Sequence, residues 1–418
     1  MVSLARKNLL EDIPRFLVAQ AGILFAVSLV TLQTGIFSGF SQSTVALIHN
    51  SSAALWVSSD SLVQLELTLP IPVSELIKAR NVSGVARAEG LLFSGAQWYP
   101  PDGEMARVRI VGFSPSSQLY RPPKILAGEL SQLKEPLTVM IDRTDQDSLN
   151  IQQLGRQVQM NAFPAKVVGL TEGNASMISN PFVLTSLKNA NAYLNAGQTS
   201  QLNCRLPQGS SQLECVNRFE TQRGEDSQIE VPSQPRDLVA SDVITFILVQ
   251  PEAGVELSTL RERLERELNQ VDVYTQEELI QKTETYWQQR TGIGLILGLG
   301  TVVGIIVGIV VVSQILYSSV SDHIREFGTL KAMGASSGMI YRVIIEQALW
   351  MAILGYLPAM IVCFALARWI NWNQGTLLLI TPTSAIAIFI ITNIMCIGSA
   401  IFAIQKVNRV DPAIVFKA

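Results

Sequence analysis

Four long stretches of the chain carry no charged residue: Phe16–Phe40, Thr291–Ser321, Gln347–Ala367 and Trp369–Gln405, the last with its apolar core over Thr383–Ile404. Each is long enough for the ~20-residue helix that crosses a ~30 Å hydrocarbon core. The pattern predicts transmembrane helices over 16–40, 291–317, 343–367 and 383–404. The first apolar run is longer than the roughly 7–15 residues of a signal-peptide core and no small-x-small cleavage site follows it, so it reads as a retained anchor.

Residues 41–290 alternate differently. LLFSGAQWY and ARVRIVGF are strand-like runs separated by Pro100-Pro101-Asp102-Gly103, a turn signal. Further strands are expected at Leu137–Ile141, Gln157–Phe163, Ala165–Leu170, Phe182–Thr185 and Val243–Val249, and helices at Val73–Ala79, Ser186–Leu194 and Ser258–Asn269. The fold class that results is a membrane protein of four transmembrane helices with a large α+β domain between the first and second. A polar stretch over 195–237, rich in Gln, Ser, Pro and Gly, reads as a flexible insert separating two subdomains.

Three shorter patterns complete the layout. Leu4–Arg15 places Leu4, Leu9, Leu10 and Ile13 near one helical face, as for a helix in the membrane interface that turns inward at Pro14. TQEELIQKTETYWQQR is a charged helical pattern running almost directly into the second span, either as one continuous helix or as a separate solvated one. Within the second span, Gly294, Gly298, Gly300, Gly304 and Gly308 form small-xxx-small steps, the signature of a close helix-packing seam within or between subunits.

Charge fixes the expected topology. Only 16% of the 418 residues are charged, against roughly 25% in soluble domains. Residues 41–290 hold 28 acidic and 21 basic residues, leaving 6 acidic and 10 basic for the rest. Arg6, Lys7 and Arg15 precede the first span, Arg325, Lys331 and Arg342 lie between the second and third, and Lys406, Arg409 and Lys417 follow the fourth. Short basic loops stay in the cytoplasm, so both termini (1–15 and 405–418) and the 318–342 segment are expected inside. The large domain and the 368–382 loop, with Arg368 alone, are expected outside.

The chemistry available is sparse. The chain has two histidines, His49 and His323, and no P-loop, H-E-x-x-H or C-x-x-C. No catalytic site, cofactor, metal or nucleic-acid partner is expected. Cys363 and Cys396 sit within spans as small apolar residues. Cys204 and Cys215 lie in the outer domain, where they form either a disulfide closing a short loop or two free thiols. Glu346 is the one ionisable residue inside a span, four residues after Arg342, the spacing of an interfacial ion pair.

The segment HIREFGTLKAMGASSGM, residues 323–339, contains Gly334-Ala335-Ser336-Ser337-Gly338, the spacing of a hydrolase nucleophile elbow. An elbow needs a strand before it and a histidine downstream, and no histidine follows His323. The alternative is mechanical. Ile324, Phe327 and Leu330 recur at helical spacing, Gly334 is a suitable helix stop, and Ser336 or Ser337 can cap the next helix.

Arg325 to Ala335, REFGTLKAMGA, resembles the cytoplasmic segment of FtsX-like, MacB-type ABC transporter permeases. Val407–Ala413 and Leu4–Leu10 are similar to the family's ending and beginning, and Gly155–Val158 and Lys166–Gly169 are the pieces shared inside the outer domain. The resemblance implies that Ile324, Arg325, Glu326, Phe327, Gly328, Leu330, Lys331 and Gly334 form a coupling helix for a separate ABC ATPase subunit. It also implies a permease homodimer in the bacterial inner membrane. With only 15 residues before the first span, the chain looks more like DevC-type exporter permeases of cyanobacteria than MacB, which carries a fused ATPase. That likeness implies a periplasmic membrane fusion protein, an outer-membrane channel, and a lipid or glycolipid cargo. The rivals are FtsX-type signalling to a cell-wall hydrolase and a lipoprotein-release permease.

Overall fold

The structure, a computed structural model, describes residues 13–122, 124–174, 179–195, 198–205, 214–221, 234–290, 292–322, 329, 333, 336–373 and 378–408. They fall into two compact units, one made of residues up to Phe40 together with those from Gln288 onward, the other Ser41–Trp287. Residues 4–12 of the expected interfacial helix lie outside the described residues.

Helix α1 runs from Ile13 to His49, beyond Phe40 where the expected span ends. Pro14 stands in its first turn, where a missing backbone N–H breaks no helical hydrogen bond. From Ser41 onward α1 belongs to the second unit, and Val45, Leu47 and Ile48 are buried there.

That unit follows in the order β1 (Leu55–Ser59), β2 (Ile71–Pro72), α2 (Val73–Ala79), β3 (Val85–Tyr99), β4 (Ala106–Phe113), β5 (Lys124–Ala127), β6 (Thr138–Asp142), β7 (Gln157–Met160), β8 (Phe163–Glu172) and β9 (Phe182–Ser186). Next come α3 (Leu187–Leu194), β10 (Gln198–Arg205), β11 (Glu214–Thr221), β12 (Val243–Ile244), β13 (Phe246–Pro251), α4 (Leu257–Glu267), β14 (Val271–Thr275) and α5 (Gln276–Arg290). One ten-stranded sheet runs β14-β1-β13-β3-β4-β9-β6-β8-β5, with β7 beside β3 and β8. Its pairs are antiparallel except β4–β9 and β6–β8. Trp56 of β1 meets Phe246 of β13 edge-to-face at 5.4 Å, and Phe113 meets Tyr120 at 5.0 Å, all four rings being fully buried in the core.

Helix α3 begins where Ser186 Oγ accepts from the Asn189 amide at 3.3 Å. It lies so close to β4 that a Cβ at Gly112 would collide with Ala190, so only glycine fits there.

The 195–237 stretch, expected as a flexible insert, is described in part. Gln198–Arg205 and Glu214–Thr221 pair as an antiparallel hairpin separate from the large sheet. The insert does not divide two subdomains: β13 and β14, after it, pair with β1 and β3, before it, in one sheet. The polar run interrupts the chain but not the domain.

Helices α6 (Ile293–Asp322), α7 (Ser337–Asn373) and α8 (Pro382–Asn408) complete the first unit. A continuous helix from α5 into the second span is not formed. Helix α5 ends at Arg290, and Gly292 adopts φ +63, a left-handed conformation that stops a helix cheaply. Among the described residues four helices, α1, α6, α7 and α8, are long and apolar enough to cross a membrane. They share a core of Ile23, Val27, Val312, Leu316, Met351 and Cys396.

Candidate functional site

No chemistry gathers on the described residues. Among them, no three His, Cys, Asp or Glu side chains lie together as a metal site. The informative places are mechanical: the helix seams of the bundle, the segment between α6 and α7, and the junction that receives the end of α1.

In the bundle, the glycine face of α6 lies against α1 of the same chain. A Cβ at Gly304 would stand 3.2 Å from Leu29 and Val30, one at Gly308 would stand 3.0 Å from Ala26 and press on Met395, and one at Gly300 would strike Gln33. Gly294 faces Phe37 at an ordinary 3.6 Å, whereas Gly298 has nothing within 4 Å. Helix α1 offers its own hollow in return, since a Cβ at Gly22 would collide with Val311. Small residues thus let two backbones approach closely, the arrangement that stabilises helix pairs in lipid. Sequence reasoning missed Gly22 and also Gly355, whose Cβ would run into Ile23; neither belongs to an i, i+4 glycine series.

Polar side chains bind the same bundle. Ser399 Oγ donates to Met395 O at 2.9 Å and lies 3.1 Å from Ile309 O, while Tyr356 OH donates to Ala385 O at 2.8 Å. At the turn between α7 and α8, Asn371 exchanges two hydrogen bonds with Leu378, and the Leu379 amide donates to Gly35 O at 3.1 Å.

The expected coupling residues Ile324, Arg325, Glu326, Phe327, Gly328, Leu330, Lys331 and Gly334 lie outside the described residues. What frames them is described. Helix α6 ends at Asp322, the Met333 amide donates to Thr329 O at 2.9 Å as in a helical turn, and Met333 is 72% exposed. Ser336 directly precedes α7, and its carbonyl accepts from the Met339 amide at 2.9 Å.

In the second unit the end of α1 is held from three sides. Ser41 Oγ donates to Glu284 of α5 at 2.5 Å, and Gln276 Nε2, at the start of α5, donates to Ile48 O at 3.0 Å. That carbonyl, at the helix terminus, also accepts from the Ser51 amide at 3.1 Å. Ser51 Oγ and the Ser52 amide both donate to Leu119 O at 2.8 Å. Asn50 Nδ2 donates to Asn174 Oδ1 at 2.7 Å, and the Asn174 amide in turn donates to Asp142 at 2.9 Å. Asp142 is fully buried at the end of β6 and also accepts from the Thr144 amide and hydroxyl. Beside it, burial and the like charge of Asp142 push the Asp145 carboxyl up to about 7. This junction was invisible in the sequence, because its members are single polar residues far apart along the chain.

A cleft of about 660 Å³ opens elsewhere in this unit, between α2 and the start of α3. Its walls include apolar Leu76, Ile77 and Leu187 and the cations Arg80, Lys134 and Lys188, of which Lys188 pairs with Asp237. An apolar floor with a basic rim suits an amphiphile or an apolar protein segment.

Comparison with known proteins places this architecture. The MacB-like periplasmic core domain family matches residues 16–267, and the FtsX-like permease C-terminal family matches residues 298–412. Among solved structures, the chain is similar to the periplasmic region of MacB from Actinobacillus actinomycetemcomitans, at 10% identity and TM-score 0.33, covering 57% of this chain and 95% of that one. It is also similar to the extracellular domain of the noncanonic ABC-type transporter YknZ from Gram-positive bacteria, at 10% identity and TM-score 0.32, covering 54% and 100%. No curated protein sequence matches it. With one apolar helix ahead of a mixed-sheet periplasmic domain, three behind it, and both family patterns matched in that order, the chain belongs to the FtsX-like, MacB-type ABC transporter permeases.

Proposed function

We propose that this permease is the non-catalytic membrane subunit of an ATP-driven exporter, converting the nucleotide cycle of a separate ABC ATPase into movement of its periplasmic domain. The observation that carries the reading is the pairing of REFGTLKAMGA, set between α6 and α7, with the anchored end of α1. One is an input for a cytoplasmic partner. The other is where a helix that contributes residues to both units joins the sheet.

In this reading Ile324, Phe327 and Leu330 form an apolar ridge seated in a groove of the ATPase, and Arg325, Glu326 and Lys331 set its register by charge. Gly328 gives room for close approach, and Gly334 ends the helix. Both termini and the 323–335 segment face the cytoplasm, a topology that the distribution of Lys and Arg supports. Two copies of the permease work with two ATPases in the inner membrane. A membrane fusion protein and an outer-membrane channel continue the path outward, as in DevC-type assemblies. The apolar, basic-rimmed cleft supports a lipid or glycolipid as cargo.

The test is affinity purification of the full-length protein from its own cells. Recovery of a P-loop ATPase together with a single-span protein rich in heptads supports tripartite export. Recovery of the ATPase with a soluble peptidoglycan hydrolase instead replaces export with signalling.

A further inference from the structure

The backbone of the β10–β11 hairpin brings together two cysteines that are eleven positions apart in the chain. The ladder runs in unbroken register from Gln198↔Thr221 to Arg205↔Glu214, and within it Cys204 is the direct partner of Cys215. Residues directly opposed in an antiparallel pair have Cα atoms roughly 4.5–5.5 Å apart. A disulfide requires about 4.4–6.8 Å, so the register alone satisfies its span. A slip of one residue would put the two positions on opposite faces.

The hairpin also has a physical need for a covalent tie. Among the described residues it forms a two-stranded sheet of its own and joins no strand of the ten-stranded sheet. A lone two-stranded hairpin is marginal in water. Its strands, QTSQLNCR and ECVNRFET, contain few apolar residues with which to bury surface. Both cysteines fall within the match to the MacB-like periplasmic core domain, hence in a compartment where thiols are oxidised. Cys363 and Cys396 are buried in the transmembrane bundle and do not compete.

We propose that Cys204 and Cys215 form an intrachain disulfide that fixes the β10–β11 hairpin in register. The bond forms by exchange with a protein disulfide oxidant of the periplasm. One cysteine thiolate attacks the oxidant's disulfide to give a mixed disulfide, and the second thiolate then displaces the oxidant as its dithiol. One S–S bond is made in this chain and one is broken in the oxidant, which takes up the electron pair; the two thiol protons lost here balance the two gained there.

Trypsin separates the cysteines, since cleavage after Lys188, Arg205 and Arg218 places Cys204 in residues 189–205 and Cys215 in residues 206–218. Full-length protein from cells with an intact periplasmic oxidase is denatured, treated with N-ethylmaleimide without reductant, and digested. The expected product is the two peptides joined, lighter by two hydrogens than their sum, with neither cysteine alkylated until reductant is added. In Cys204→Ser, Cys215 becomes alkylated, and the reverse holds for Cys215→Ser. Alkylation of both cysteines in the unreduced wild type, or a bond from either to a different cysteine or a second chain, overturns the proposal. The readout is independent of any ATPase partner, so it stands or falls separately from the exporter reading.

Discussion

The side-chain amide of Asn50 donates to Oδ1 of Asn174 at 2.7 Å, tying the residue that follows α1 to the loop that leaves β8. Asn174 is buried, and its own amide is held by Asp142. Removing one partner strands the other's polar group, which costs about 1–3 kcal/mol when buried. Asn174→Ala is therefore expected to lower the thermal midpoint of the full-length protein in detergent. Asn50→Ala should do so too, because it strands the buried Oδ1 of Asn174. The double variant should cost less than the two singles together, the sign of a shared bond.

The close approach of α1 and α6 gives a second expectation. Gly308→Leu forces a side chain against Ala26 and Met395, and overpacking of this kind costs about 1–3 kcal/mol. Gly298→Ala meets empty space and should be neutral. Thermal unfolding of both variants in the same detergent separates a packed seam from a run of glycines without a role.

Asp145 predicts a pH dependence. One of its carboxylate oxygens is buried without a hydrogen-bond partner, and burial with Asp142 raises its pKa to about 7. The folded state therefore holds a proton that the unfolded chain releases near pH 4. Stability from this group is fully present below pH 4 and falls as pH rises through 7. The stability advantage of Asp145→Asn, which cannot ionise, over the wild type should grow by at least about 1 kcal/mol between pH 5 and pH 8. Denaturant titration at the two pH values measures the gap.

At the start of α7, Ser336 occupies the position before the first helical residue. Loss of a serine cap there costs about 1 kcal/mol, so Ser336→Ala should reduce transport mildly. Gly334→Val, which forbids a left-handed helix stop, should reduce it more. Cargo efflux measured in parallel at matched membrane levels ranks the two.

Much of this architecture was legible in the sequence, for reasons visible in particular segments. The four uncharged runs identify the spanning helices because a ~20-residue apolar run can cross hydrocarbon only with its backbone hydrogen bonds made internally, as a helix makes them. Helix Val73–Ala79 and the β3–β4 pair around Pro100–Gly103 follow their apolar periods. Strand β1, LWVSS, was missed because all five of its residues are buried and no alternation marks it. Strand β14, VDVYT, was missed because it is short and sits between two helical patterns. The hairpin strands were not legible because QTSQLNCR and ECVNRFET carry few apolar residues. The coupling role proposed for residues 324–334 rests on resemblance alone, since a ridge of Ile324, Phe327 and Leu330 suits lipid or protein equally. The Asn50–Asn174–Asp142 junction depends on tertiary proximity of residues 50, 174 and 142, which no local pattern encodes.

The central claim is that residues 323–335 couple this permease to a separate ATPase. Its most direct measurement is co-purification of a P-loop ATPase with the tagged permease, comparing wild type with Phe327→Asp and Gly328→Pro at equal membrane insertion. The account predicts that the ATPase is recovered with the wild type and lost with both variants. Retention of the ATPase by both variants would contradict it.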